Sequence, residues 1–219
     1  MCGRFVMISN VDEIVEQYGV VRVASRARRS YNIAPGSDVV VVTEERGERA
    51  LVDMRWGFPM IGSRTNRLLI NARSETADRK PSFREAFRKQ RCLVMADGYY
   101  EWESRGKSRV PWYVHFVSRG PVGLGGLFRF IPVPGGGVRP ACVIMTTAAN
   151  ECTRPIHDRM PVILTGEDAG LWLDGTGDQE LVKNLLCPRD FSDMEAYQVA
   201  TLVNSPGNDV PDCIEPVAR

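Results

Sequence analysis

The apolar residues of this chain come in many short runs, which limits it to short strands and helices. Two of the longest, VVVV at 39–42 and CLVMA at 92–96, have the length of a β-strand. A membrane-spanning helix needs roughly 20 consecutive apolar residues, and no run approaches this length. Turn-forming residues separate the runs, among them 20 glycines and 14 prolines. This pattern predicts a β-rich protein without a membrane segment.

Eight segments have the composition and the boundaries of strands. They are 39–43, 51–56, 91–97, 112–117, 122–127, 141–147, 161–165 and 197–203. Helices are predicted at 11–20, which ends at Gly19, and at 81–90, where Ser82 and Glu85 fit a capping box. Two short helices follow, near 167–173 and 178–186. This irregular order predicts an α+β fold in one domain, residues 1–219, with a curved, largely antiparallel, barrel-like sheet and a few flanking helices.

Composition limits the kinds of site that the chain can build. Six cysteines occur without a C-x-x-C pair, and only two histidines are present, so no metal site is expected. No Gly-rich phosphate loop is found, and no cofactor is predicted. The first residues lack the pattern of a signal peptide, so we expect a cytoplasmic protein with reduced thiols, associated with the nucleoid if it is bacterial. The formal net charge of +1 gives no global indication of nucleic-acid binding.

The chain opens MCGRF, and Cys2 would become the first residue if Met1 were removed. A terminal cysteine carries an amine and a thiol with pKa values of about 8 and about 8.5, so both react near neutral pH. The thiol could attack an amide and form an acyl-enzyme. With an aldehyde, the amine would form a Schiff base, and the thiol would then close a thiazolidine ring. The alternative is that Cys2 is only a small buried apolar residue.

Three further motifs carry groups that could act together. In NARSE, Asn71 and Arg73 lie two apart on an extended segment and point the same way, so they could hold an oxyanion or a phosphate. In DGYYEWE, Glu101 lies among aromatic residues, surroundings that suit a general acid. In RPIHDRMPVIL, His157 lies on a loop before a strand, where catalytic side chains are often displayed. Each motif could equally be a surface turn, hairpin or loop, and His115 is predicted to be a structural strand residue.

Local basic clusters could contact nucleic acid. RVASRARR (22–29) carries four arginines, and RKPSFREAFRKQR (79–91) carries six basic residues. Arg84, Arg88 and Arg91 are predicted to form one stripe on the second helix, which could follow a phosphate backbone or be a solvated face. Trp56, in MRWGFP, is a candidate stacking surface for a base or a core residue.

Taken together, the motifs MCGRF, RWGF, NARSE-T, DGYYEW, the T-AAN of 146–150 and IHDRMP resemble, in order and spacing, the SRAP (SOS-response-associated peptidase) family. The resemblance runs from Cys2 to about Asn204. One departure lies after RWG, where the family often has an apolar residue, Ile-Pro and a second tryptophan. This chain reads RWGFPMIGSR and lacks that tryptophan.

The resemblance implies a protein that senses abasic sites in single-stranded DNA and captures the ring-opened sugar aldehyde on Cys2, first as a Schiff base and then as a thiazolidine. It implies that Asn71 positions the sugar, Glu101 is the acid/base and His157 assists proton transfer and reversal. Arg4, Arg73 and Trp56 would contact DNA, together with Arg84 and Arg88 on the predicted stripe. It further implies autocatalytic removal of Met1, and we expect a monomer.

Two other functions remain open at this point. An N-terminal-nucleophile amidohydrolase of the glutaminase type would also mature to Cys-Gly. A DNA-binding module without covalent chemistry would bind modified DNA equally well without Cys2.

Overall fold

A computed structural model describes residues 2–26, 28–60, 67–174 and 179–217. Within these ranges the chain forms sixteen strands: β1 (Arg4–Met7), β2 (Arg22–Val23), β3 (Ser30–Ile33), β4 (Asp38–Glu45), β5 (Glu48–Trp56), β6 (Phe58–Pro59), β7 (Leu68–Leu69), β8 (Asn71–Arg73), β9 (Arg91–Ala96), β10 (Gly98–Arg105), β11 (Ser108–Phe116), β12 (Val122–Pro132), β13 (Val138–Ala148), β14 (Arg159–Pro161), β15 (Ile163–Leu164) and β16 (Met194–Gln198). The α-helices described are α1 (Val11–Tyr18), α2 (Ser74–Ala77), α3 (Arg84–Lys89), α4 (Gly166–Leu173) and α5 (Gln179–Asn184). Two 3-10 helices cover Thr201–Asn204 and Pro211–Cys213. None of the helices in these ranges has the length and apolar character needed to cross a bilayer.

Five strands close into a barrel. Strands β13, β12, β9, β4 and β5 pair in that order, and β5 pairs back with β13. The pairings are antiparallel except the last, in which residues 141–142 lie parallel to residues 55–56. The apolar runs at 39–42 and 92–96 become buried parts of β4 and β9, and strands buried on two faces show continuous apolar sequence. The predicted α+β, barrel-like fold is therefore confirmed.

A second, antiparallel sheet carries the start of the chain. Its order is β16, β11, β10, β1 and β3, so β1 is paired on both sides. Where β9 turns into β10, the carboxylate of Asp97 accepts hydrogen bonds from the backbone N–H groups of Ile8 and Ser9. The backbone N–H of Asp97 also donates to the Val6 oxygen at 2.8 Å. These hydrogen bonds fix the first strand beside β10.

Gly98 permits this sheet to pack closely. A Cβ atom at this position would lie 2.6 Å from the Tyr113 ring and 2.6 Å from the Val114 carbonyl oxygen. Real Cβ atoms do not approach backbone that closely, so a side chain would push β10 away from β11. The absence of a side chain at position 98 is therefore a packing requirement.

The predicted helix at 11–20 is confirmed as α1, which Gly19 ends in the left-handed conformation at φ 60°. The predictions for the second helix are partly wrong. It begins at Arg84 after Phe83, and no side chain caps it, so the capping box is absent. Phe83 and Phe87 do share the buried face.

Arg91 does not belong to an exposed stripe with Arg84 and Arg88. It lies on β9, is 6% exposed, and its guanidinium donates to three backbone carbonyls, those of Phe87, Trp172 and Asp174. The helix has ended before this residue, so the helical periodicity that placed Arg91 on the stripe no longer holds.

The strand predicted at 197–203 is only partly correct. The strand covers Met194–Gln198, and the following residues form the 3-10 helix Thr201–Asn204. Strands β1, β3 and β10 were not predicted, because each is short or carries charged side chains that interrupt the apolar alternation, whereas β8 lies on the segment expected to be extended. Three of them, β1, β8 and β10, carry side chains that line the cleft described next.

Candidate active site

A cleft of about 610 Å³ opens where β1, β8, β10 and the loop before β14 meet. It gathers five of the nine residues predicted for catalysis or DNA binding: Arg4, Asn71, Arg73, Glu101 and His157. These residues are far apart in the chain, so the fold brings the separate motifs together.

Cys2 lies against this cleft, beside its lining residue Gly3, and is 0% exposed. Burial raises the pKa of the Cys2 thiol well above its ordinary value, and the negative charge of Glu101 raises it further. The thiol also lies 3.9 Å from the Arg4 carbonyl oxygen. Burial and the nearby carboxylate therefore both disfavour the thiolate.

Asn71 connects the start of the chain to the barrel. It lies on β8, which pairs in parallel with β13 opposite Ile144, and its Nδ2 donates to the Cys2 carbonyl oxygen at 2.9 Å. This hydrogen bond fixes the orientation of the amide, because only the NH₂ group can donate to a carbonyl. Oδ1 of Asn71 is buried and has no hydrogen-bond partner within the described part of the chain. A buried acceptor without a partner is unusual in a folded protein, which marks this oxygen as a candidate ligand contact.

Glu101 lies on β10 and is 3% exposed. Its Oε1 lies 3.3 Å from the backbone N–H of Trp102, which can donate to it. Tyr99, two residues earlier on the same face, has its phenol pKa raised chiefly by burial and further by the neighbouring Cys2 and Glu101. Cys2, Tyr99 and Glu101 are each at most 3% exposed, so the thiol, the phenol and the carboxylate all lie in the interior.

His157 is held by its own loop. Its Nδ1 lies 3.0 Å from the backbone N–H of Arg159 and 2.8 Å from Oδ1 of Asp158. In the neutral ring, Nδ1 accepts from that N–H, which leaves the proton on Nε2. In the protonated ring, Nδ1–H donates to Asp158 instead. The loop therefore offers a partner to each protonation state, as an exchanging acid/base requires.

Arg159 was not assigned from the sequence, although it lies in the IHDRMP motif. Its guanidinium donates to both carboxylate oxygens of Glu75 and, at 2.6 Å, to the Thr146 carbonyl. The hydrogen bond from Arg159 lowers the pKa of Glu75. Arg73 lies on the same cleft and is exposed, so it lines the cavity together with Arg159.

Arg4 lines the cleft, but much of its guanidinium is engaged within the protein. Nη1 donates to Asn32 Oδ1 and to the Val203 carbonyl, both at 2.8 Å, and Nη2 donates to the Asn204 carbonyl at 3.1 Å. Partial burial lowers the pKa of Arg4. Arg4 therefore ties β3 and the 3-10 helix at 201–204 to the wall of the cleft.

The structure contradicts one predicted DNA contact and separates two others from the cleft. Trp56 is 0% exposed, packs edge-on against Phe5 at 5.1 Å and donates from Nε1 to the Ile70 carbonyl at 3.0 Å. It is a core residue that holds the backbone next to Asn71, and it cannot stack on a base. Arg84 and Arg88 are exposed on α3 and do not line the cleft.

Several lining residues could not be assigned from motifs. Trp102 lies in DGYYEW, and its ring is 6.0 Å from the Arg4 guanidinium. Arg109 reaches the cleft because it is paired with Ser104 across the β10–β11 hairpin, which no local motif reveals. Met1 and most of the segment that follows RWGFPM lie outside the described residues, as does the place of the missing tryptophan.

Comparisons with known proteins agree with this arrangement. The family model for SOS response associated peptidase (SRAP) matches residues 1–206. The abasic site processing protein YoqW of Bacillus subtilis is 38% identical over 222 residues, which cover 98% of this chain and 99% of that protein. The abasic site processing protein HMCES of Gallus gallus is 31% identical over 229 residues, covering 88% and 67%.

A crystal structure of a protein from Bacteroides thetaiotaomicron superposes with a TM-score of 0.86 at 24% identity, covering 99% of this chain and 100% of that one. At this identity the likeness supports the fold alone. The family match and the bacterial relative carry the assignment, because both extend over nearly the whole chain. The chain belongs to the SRAP family.

Proposed function

We propose that this protein recognises abasic sites in single-stranded DNA and captures the ring-opened sugar covalently through Cys2. The observation that carries the proposal is the convergence of Cys2, Asn71, Glu101 and His157 at one arginine-lined cleft. The relatives named above as abasic site processing proteins support the same substrate. Removal of Met1, for which we propose self-processing, must come first because it frees the amine of Cys2.

The reaction follows from the groups present. The amine attacks the C1′ aldehyde, and the resulting carbinolamine loses water to give a Schiff base. The S–H of Cys2 then adds across the C=N bond, the sulfur bonding to carbon and the proton passing to nitrogen, which closes the thiazolidine. Glu101 shuttles the protons of these steps. His157 lies at the outer side of the site and assists reversal.

The state of the thiol favours an aldehyde over an amide as the substrate. A glutaminase-type enzyme needs a reactive thiolate, whereas burial and the charge of Glu101 raise the pKa of Cys2. With an aldehyde, the α-amine of Cys2 makes the first bond, so the capture does not have to begin with attack by a thiolate. Asn71 Oδ1 would accept a hydrogen bond from a sugar hydroxyl, and Arg73 would contact a phosphate.

The proposal is tested with a single-stranded oligonucleotide carrying one abasic site, after intact mass has verified the loss of Met1. We expect an adduct that survives denaturation and has the mass of protein plus oligonucleotide minus water. The matched controls are an undamaged strand and the Cys187→Ala variant, which removes an exposed thiol elsewhere. Absence of the adduct would overturn the proposal, and an adduct formed by Cys2→Ala would overturn the mechanism.

Ammonia release and DNA affinity, measured for the wild type and for Cys2→Ala, separate the other two functions. Glutaminase activity would release ammonia from glutamine and depend on Cys2. A DNA-binding module without covalent chemistry would bind abasic DNA with equal affinity in Cys2→Ala and leave no adduct. Glu101→Ala should slow adduct formation or reversal, whereas His157→Ala should mainly slow reversal.

A further inference from the structure

We propose that a second groove, next to the candidate active site, binds phosphates of the DNA strand that flanks the lesion, through Arg26, Arg28 and Arg55. This inference rests on the proposed function, because it takes single-stranded DNA as the ligand. The groove has a volume of about 760 Å³ and lies between Arg26, residues 28–40, β5 and the chain near Pro206. It gives a role to the basic cluster at 22–29, which the cleft does not use.

The three arginines have their charged ends available. Arg26 and Arg28 are exposed between β2 and β3, and Arg55 is half-buried on β5. Across residues 2–26, 28–60, 67–174 and 179–217, none of their guanidinium groups forms an ion pair or donates a hydrogen bond. Two arginines of the cleft differ in this respect, since Arg4 and Arg159 are bonded within the protein. Free guanidinium forks in a concave surface are suited to phosphate oxygens.

Three aspartates also line the groove, but each is already occupied. Asp53 accepts from the Ser25 hydroxyl and from the backbone N–H of Arg26 at 2.9 Å. Asp209 accepts from a backbone N–H of β3, and Asp38 pairs with Arg139. These hydrogen bonds shape the loop and the strand ends, so the carboxylates do not neutralise the three arginines by direct pairing.

A single side-chain pair joins the groove to the cleft. Asn32 is 3% exposed, lines the groove and accepts a hydrogen bond from Arg4, which lines the cleft. Asn32 Nδ2 lies within hydrogen-bond distance of three backbone carbonyls, those of Val203, Ser205 and Asn208, and its two hydrogens hold this wall to the chain at 203–208. A strand whose abasic sugar lies in the cleft would cross this wall and enter the groove.

The test compares two double variants with the same change of charge. Arg26→Gln/Arg28→Gln removes two groove arginines. Arg22→Gln/Arg46→Gln removes two arginines that line a separate recess, one of them from the same basic cluster. Binding of an undamaged single strand is measured over a range of salt concentrations. The slope of log affinity against log salt should become shallower by roughly 0.7 for each phosphate that the variant no longer neutralises, and only in the groove variant.

A second measurement keeps this inference separate from the proposed function. Adduct formation is compared on an abasic oligonucleotide of about 3 nucleotides and one of about 20, since single-strand sites span roughly 4–16 nucleotides. The groove variant should match the wild type on the short strand and need a higher concentration of the long strand to reach the same rate. If the groove variant behaves like the Arg22→Gln/Arg46→Gln control on both the short and the long strand, the groove proposal is overturned. Adduct formation by the wild type would still support the proposed function.

If the wild type forms no adduct but the salt slope falls in the groove variant, the proposed function fails and the groove is supported. Thermal melting checks that both double variants are folded. Should Arg26→Gln/Arg28→Gln not fold, Arg55→Gln provides the same test with one arginine, and an unchanged slope for it would count against the groove.

Discussion

Asn71→Ala should separate the positioning of Cys2 from the stability of the fold. The variant leaves the buried Cys2 carbonyl without its donor, which costs about 1–3 kcal/mol, and also removes a buried oxygen whose own lack of a partner costs about 1–3 kcal/mol. The two effects largely cancel. We expect the free energy of unfolding to change by about 1 kcal/mol or less, which for a chain of this size moves Tm by no more than about 4 °C.

The same change should slow adduct formation strongly. Without the amide, the start of the chain is no longer held against β8, and a displacement of about 1 Å at a reacting group can cost roughly 100-fold in rate. Single-turnover adduct formation on an abasic strand measures the rate, and circular dichroism measures Tm. Asn10→Ala, an exposed asparagine outside the cleft, is the control. A wild-type rate, or a fall in Tm above about 10 °C, would refute the reasoning.

Three further predictions follow from residues in and around the cleft. Glu101→Gln removes a negative charge and should therefore lower the pKa of the Cys2 thiol. The rate of Cys2 alkylation, followed by mass spectrometry, should then rise at a lower pH than in the wild type. An unchanged pH profile would show that the two groups do not interact. Gly98→Ala should cost more than about 1 kcal/mol in urea unfolding, because its Cβ would meet a backbone carbonyl, and a wild-type midpoint would contradict the close packing. The pKa of Glu75 is lowered in the folded protein, so its pair with Arg159 stabilises the fold above the unfolded pKa of about 4.3. This stabilisation is lost as the pH falls through the folded pKa. The difference in unfolding free energy between wild type and Glu75→Gln should be at most about 1 kcal/mol, since half the Glu75 side chain is exposed, and it should vanish in acid.

The barrel strands were the most predictable part of the fold. Runs such as 39–42 and 92–96 are buried on two faces, and a continuous apolar run survives any change of register. Strand β10 could not be predicted because its cleft-facing half carries Glu101 and its exposed end carries charges. These charged side chains interrupt the apolar alternation that would have indicated a strand.

The candidate site was accessible from the sequence only through its motifs. Their order and spacing indicated the family, and the family model confirms it. Whether an individual side chain is buried or lines the cleft could not be predicted from the motifs. Trp56 and Trp102 are both tryptophans in motifs, yet one is fully buried and the other lines the cleft, because only the packed sheet decides which face each one meets. The roles of the site residues and the single-domain organisation stay predictions.

The position of β1 within its sheet has a mechanical consequence. In the proposed adduct, DNA is attached two residues before this strand, so any pull on the DNA acts along β1. Because β1 is bonded to β10 on one side and to β3 on the other, such a load shears two ladders at once instead of peeling one edge strand. The hydrogen bonds from Ile8 and Ser9 to the Asp97 carboxylate then act as an anchor at the far end of the strand. In the proposed adduct, a load applied at Cys2 would therefore be shared by the two ladders and by the hydrogen bonds to Asp97.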